Sequence, residues 1–100
     1  MAVMNLTKDN FEKEVAEGTV LVDFWAPWCM PCRMLSPIVD AVGEEVTHAK
    51  IAKVNVDEQE SLASRFGVMN IPTLIVLKDG GEVNRSVGVI TKDAIKKMLG

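Results

Sequence analysis

The sequence predicts an α/β fold: a central mixed sheet of four or five strands with about four helices on both faces. Three observations lead there. Short apolar, β-branched runs alternate with stretches of helical periodicity. One run, residues 20–25, is apolar almost without interruption, as expected of a strand covered on both faces. Two later runs flank Asp79-Gly80-Gly81, which has the turn chemistry of a hairpin and so adds antiparallel pairs to a sheet otherwise built by crossovers.

Each element has a local reason. Val3 and Met4 can start a short first strand. Asp9 and Glu12 have capping-box spacing for a helix over residues 10–17, with Phe11 and Val15 as its (i, i+4) apolar pair and Gly18 as its stop. The central strand over 20–25 is broken in apolarity only by Asp23. Residues 33–45 read as a helix whose stripe is Met34, Leu35, Ile38, Val39 and Val42; Pro37 inside it predicts a kink. A strand follows over 51–56. Asp57 is placed to cap a short helix containing Leu62, Ala63 and Phe66, stopped by Gly67. Residues 73–78 and 82–87 form the hairpin. Thr91 starts a last helix with Ile95, Met98 and Leu99 inward and Lys92, Lys96 and Lys97 outward. The order is β-α-β-α-β-α-β-β-α.

One hundred residues are one domain's worth, spanning 1–100, and enough to bury a core without staples. The hydrophobic share of 48% and charged share of 25% describe a globular chain rather than a disordered one. A net charge of −3 argues against nucleic acid as a partner, since phosphate binding needs a basic patch. No apolar run approaches a membrane span. Residues 1–8 have neither a basic leader region nor a long apolar one, so the expected location is intracellular, the cytoplasm. In such a reducing compartment two cysteines do not make a permanent structural bridge.

Those cysteines, Cys29 and Cys32, sit in Trp28-Cys29-Met30-Pro31-Cys32, at the junction of the central strand and the following helix. With Cys32 in the first helical turn, both sulfurs fall on one face, close enough to oxidise to a disulfide. Cys29 then lies at the helix N-terminus, where unpaired N–H groups and the helix dipole favour a thiolate. Inert buried thiols are one alternative reading. Half of a zinc site is another, but tetrahedral zinc wants four ligands and the chain offers only His48 besides, so no metal is expected. A redox dithiol is the preferred reading. Cys29, first in the motif and the more exposed, is the expected nucleophile; Cys32, a turn in and shielded, is the resolving thiol. Met30 and Pro31 carry no cation, which argues for a reducing rather than a strongly oxidising pair. Asp23, among apolar neighbours, should be buried and its pKa raised by desolvation. Lys53 on its own could be an ordinary exposed lysine at the sheet edge.

Residues 22–32, Val-Asp-Phe-Trp-Ala-Pro-Trp-Cys-Met-Pro-Cys, resemble the active-site segment of the thioredoxin family. The resemblance continues through Lys53, Val56-Asp57, Gly67-Val68-Met69-Asn70-Ile71-Pro72-Thr73 and Val87-Gly88, covering essentially the whole chain in order. It implies a thioredoxin fold and protein-disulfide reduction maintaining thiol balance. It also implies no cofactor in the chain itself, recycling by a thioredoxin reductase-type flavoprotein, and a monomer. It implies further that Asp23 is the general base for Cys32, and that the Lys53 ammonium approaches Asp23 and modulates that transfer. Ile71-Pro72 becomes a cis peptide facing the disulfide, and Trp28, Met30, Pro31, Ile71, Pro72, Val87 and Gly88 line the groove for protein substrates; Trp25 is read as structural. The family usually has Gly where this chain has Met30, a departure that leaves the fold untouched and bears on potential and partner choice. A dedicated oxidant or isomerase, and a redox-switched binding module docking through Trp28, Ile71 and Gly88, are the alternative functions.

Overall fold

The computed structural model describes residues 3–100; Met1 and Ala2, which open the stretch read for a leader, lie outside them. In chain order the elements are β1 (Met4–Asn5), α1 (Phe11–Val15), β2 (Thr19–Trp25), α2 (Met30–Glu45), β3 (Ala49–Asn55), α3 (Glu60–Arg65), β4 (Thr73–Lys78), β5 (Gly81–Val87) and α4 (Lys92–Leu99). The strands form one sheet in the order β1-β3-β2-β4-β5. β3 runs parallel to β1 and β2; β4 is antiparallel to β2, and β5 to β4. The expected mixed sheet is therefore present, with five strands.

Side-chain alternation along the central strands sets the layering. Val20, Val22 and Phe24 of β2 join Ala52 and Val54 of β3 and Ile75 and Leu77 of β4 in one core, closed by Phe11 and Val15 of α1 and Leu62 of α3. Leu21, Ile51, Leu74 and Val76 point the other way and pack on Leu35, Val39 and Val42 of α2 and on Ile95 and Leu99 of α4. Asp23 and Trp25 follow Leu21 in parity, and Lys53 follows Ile51. All three therefore belong to the α2 side of the sheet.

The hairpin turns as its residues dictate. Asp79 (φ 49°) and Gly80 (φ 85°) both occupy the left-handed region demanded by a two-residue turn matching strand twist. Asp79 also ties the turn to the start of β2: its Oδ1 accepts from the Gly18 N–H at 2.8 Å, and its N–H donates to the Gly18 carbonyl at 3.0 Å. β5 is exposed along nearly all its length, its pairing with β4 is interrupted by an irregularity at Val76/Leu77, and Arg85 and Glu82 pair along it at 2.7 Å.

Several caps differ from expectation. α1 is shorter than residues 10–17 and is not closed by an Asp9–Glu12 box. Asn10 precedes it, with Oδ1 accepting from the Thr7 N–H at 2.7 Å, and Glu12 pairs outward with Arg65. Asp57 does not cap α3, which starts three residues later after Gln59; its N–H donates to Asn55 Oδ1 in a turn. α2 starts at Met30 rather than Arg33 because Cys29 is itself the N-cap. Met34 is 60% exposed and not part of the inward stripe, since one residue's rotation takes it off the face centred on Leu35, Val39 and Val42. The helix continues through Pro37, which supplies no N–H to the Arg33 carbonyl. Thr91 caps α4 as expected, its Oγ1 accepting from the Ala94 N–H at 3.1 Å, and Lys92 and Lys96 converge on Glu45 of α2 at 2.5 and 2.9 Å.

Candidate active site

β2 ends at Trp25, and the short turn after it delivers Cys29, whose N–H donates to the Ala26 carbonyl at 3.2 Å. Cys29 is extended (φ −87°, ψ 108°), as is usual for an N-cap, and its Sγ accepts from the Cys32 N–H at 3.2 Å. Cys29 and Cys32 are joined by a disulfide across a Cα–Cα separation of 5.2 Å. Breaking it leaves the Cys29 sulfur beside a backbone donor at the positive end of a sixteen-residue helix, the arrangement that favours a thiolate. The expected difference in access is small: Cys29 is 5% exposed and Cys32 2%, so both are buried and Cys29 is only marginally the more accessible.

Opposite the disulfide stands Ile71, whose carbonyl oxygen is 3.8 Å from Cys29 Sγ. The Ile71-Pro72 peptide is cis. Two bonds fix this loop: Thr73 Oγ1 donates to the Asn70 carbonyl at 2.5 Å, and the Gly88 N–H donates to the Pro72 carbonyl at 2.9 Å. Gly88 has φ 97°, a conformation that suits only glycine well. Val87 is the Cα partner of Thr73, so Val87 and Gly88 lie beside Pro72. Trp28, Met30 and Val87 are exposed apolar surface, Pro31 is exposed and Ile71 half-buried, while Pro72 is buried. The Trp28 ring is steadied by its Nε1, which donates to Asp57 Oδ2 at 2.9 Å. Neither that role of Asp57 nor Met69, 90% exposed two residues before Ile71, was foreseen from sequence.

Behind Cys32, Asp23 is 1% exposed, and neither carboxyl oxygen has a hydrogen-bond partner. Burial pushes its pKa up from 3.8 to about 7; the Lys53 cation opposes the rise and the Asp40 carboxylate adds to it. Asp23, Trp25, Cys32, Arg33, Ser36 and Lys53 surround a cavity of about 130 Å³. A space of that size, with the two unpartnered carboxyl oxygens of Asp23 beside it, has room for water. Lys53 is not the ordinary exposed lysine its sequence allows. It is the Cα partner of Asp23, but its ammonium donates to Ser36 Oγ at 2.6 Å and pairs with Asp40 at 3.0 Å, rather than bonding Asp23. The i, i+4, i+8 spacing of Cys32, Ser36 and Asp40 could have signalled this. His48 lies exposed just before β3, at the end of the sheet away from the disulfide; among the described residues no three metal-ligating side chains gather.

A dithiol–disulfide couple at a helix N-terminus, on a mixed sheet with helices on both faces, defines the class: a thiol–disulfide oxidoreductase. The family model for thioredoxin matches residues 2–100. A thioredoxin of Bacillus subtilis is 46% identical over 100 residues, 99% of this chain and 96% of that one. One of Chlamydia muridarum is 46% identical over 97 residues, 97% of this chain and 95% of that one. Among solved structures, a mutant thioredoxin from Halobacterium salinarum superposes with a TM-score of 0.88 at 38% identity, over 97% of this chain and 86% of that one. The chain belongs to the thioredoxin family, and its activity is that of a protein-disulfide reductase.

Proposed function

We propose that the chain works as one thioredoxin domain that reduces protein disulfides by a two-thiol exchange in which the residues divide as follows. The Cys29 thiolate attacks one sulfur of the substrate disulfide; that bond breaks, and the other substrate sulfur leaves as a thiolate. Asp23 takes the proton from Cys32. The Cys32 thiolate attacks the Cys29 sulfur, the Cys29–substrate bond breaks, the second substrate sulfur leaves as a thiolate, and the chain is left with Cys29–Cys32 oxidised. Atoms and electrons balance without a cofactor in the chain. The observation that carries this reading is Cys29 as N-cap of α2, its sulfur beside the Cys32 N–H and facing Ile71.

The Ile71 backbone next to cis Pro72 suits pairing with an extended substrate segment. Trp28, Met30, Pro31, Val87 and Gly88 supply the surface around it. Lys53 tempers Asp23 through its charge. Reducing equivalents come from a thioredoxin reductase-type flavoprotein, and the working form is a cytoplasmic monomer. No helix among the described residues is long and apolar enough to cross a membrane.

Mass spectrometry of single-cysteine variants mixed with a protein disulfide tests the assignment. Cys32→Ser is expected to accumulate a mixed disulfide through Cys29, and Cys29→Ser to lose reduction. Trapping by the Cys29→Ser variant instead would reverse the roles.

A further inference from the structure

Cys32, Ser36 and Asp40 recur every four residues along α2 and therefore share one face. Lys53 and Asp23, Cα partners on the adjacent strands, belong to the side of the sheet that α2 covers. The Lys53 side chain crosses from sheet to helix, with Nζ 2.6 Å from Ser36 Oγ and 3.0 Å from Asp40 Oδ1. Both oxygens of Asp23 are left without a hydrogen-bond partner. An ammonium beside a buried carboxyl would ordinarily become its counter-ion. Here two groups on α2 hold it instead. A surface ion pair of no consequence does not describe this contact, because the Lys53 side chain is only 14% exposed and one of its two partners is an uncharged hydroxyl.

We propose that Ser36 and Asp40 are positioning residues: they hold the Lys53 ammonium on α2, off the Asp23 carboxyl, so that Asp23 stays an acid–base group with no bonded counter-ion beside Cys32. This rests on the reading of Asp23 as the base for Cys32. A cation brought to about 4–6 Å from a carboxyl favours the carboxylate and lowers its pKa by about 1–3 units. Asp23 so paired would be a weaker base towards the Cys32 thiol at neutral pH. The charged or titratable groups facing Asp23 are Lys53 from β3 and Cys32, Arg33 and Asp40 from α2; β4 sets uncharged Leu74 opposite it.

The test is a carbon-13 NMR titration of the Asp23 carboxyl in the oxidised full-length chain, run beside the pH profile of mixed-disulfide resolution in the reduced chain. Ser36→Ala removes one tether without changing charge and is expected to lower the Asp23 midpoint by ~0.5 unit or more. Asp40→Asn removes a tether and a like charge together and is expected to lower it further. Ser36→Thr, which keeps a hydroxyl, should retain the parent midpoint. In a Lys53→Met background Ser36→Ala should have no effect, and the effect of Asp40→Asn should shrink to its direct charge contribution. An unmoved midpoint in Ser36→Ala, or an equal shift with Lys53 absent, overturns the proposal. Midpoints that move as stated while Asp23→Asn turns over normally would uphold the tether and refute the proton role of Asp23.

Discussion

Two neighbours on β2, Asp23 and Phe24, face opposite sides of the sheet and live in opposite worlds. The side of Phe24 is sealed. Its ring lies 5.9 Å from Phe66, which lies 5.5 Å from Phe11, and the core around it is apolar throughout. The side of Asp23 starts as the same kind of core, with Leu21, Ile51 and Val39. Towards the end of the strand it gives way to a carboxyl, an ammonium, a hydroxyl and the disulfide around a cavity. One face supplies cohesion and the other holds chemistry at a cost in cohesion. The alternation of a strand lets both be met within consecutive residues.

Breaking the sealed side should have the largest effect. Phe24→Ala is expected to destabilise the oxidised protein by about 3–5 kcal/mol, the usual range for a buried aromatic. Its rate with a small disulfide, measured where it is still folded, should stay near the parent's. A matching loss of rate would mean the two faces are not separable.

The other side should answer to pH. A folded pKa of about 7 against 3.8 means that burial favours the neutral Asp23. The contribution of Asp23 to stability is then fully present below pH 3.8 and is lost as pH rises to about 7. Asp23→Ala abolishes that dependence. Relative to the parent, the variant should gain on the order of 4 kcal/mol between the two ends of that window. By pH 7 and above it should be the more stable protein, while turning over more slowly. Urea melts of both proteins at pH 4 and pH 8 measure this, and parallel curves would contradict the cost assigned to Asp23.

Smaller effects should sharpen the boundary between the faces. Asp57→Ala removes the acceptor of the Trp28 indole and is expected to cost roughly 0.5–1.5 kcal/mol in a denaturant melt, with weaker substrate binding. Met30→Gly should barely alter the reaction with a small disulfide, by less than about threefold, because Met brings bulk and polarizability but no charge. Its effect on a protein disulfide should be larger. Equal changes for small and large substrates would show Met30 acting on the thiolate itself.

What was legible in the sequence follows the range of the forces involved. The strands, the hairpin and the N-cap of α4 were readable because side-chain period, Asp79-Gly80 and Thr91 act within a few residues. The burial of Asp23 was readable from its apolar neighbours, and the cysteine pair from its spacing. The caps of α1 and α3 were not, because Glu12 and Asp57 find partners across the fold, Arg65 and the Trp28 indole, in preference to their own helix ends. The one face of α2 shared by Cys32, Ser36 and Asp40 is legible in their spacing, but that this face receives the Lys53 ammonium depends on how α2 lies across β3.

The two ends of the sheet have a bearing on the company this chain keeps. A row of unpaired peptide groups along an edge strand is a template on which other chains can extend the sheet, the first step towards aggregation. β1 is only two residues long, too short to offer one. β5 is long, but its pairing is irregular at Val76/Leu77 and it carries Glu82 and Arg85. A protein that acts on the disulfides of other proteins has good reason to be a poor seed for their stacking. Both edges are built that way, which keeps the sheet margins apart from the substrate groove proposed beside Cys29.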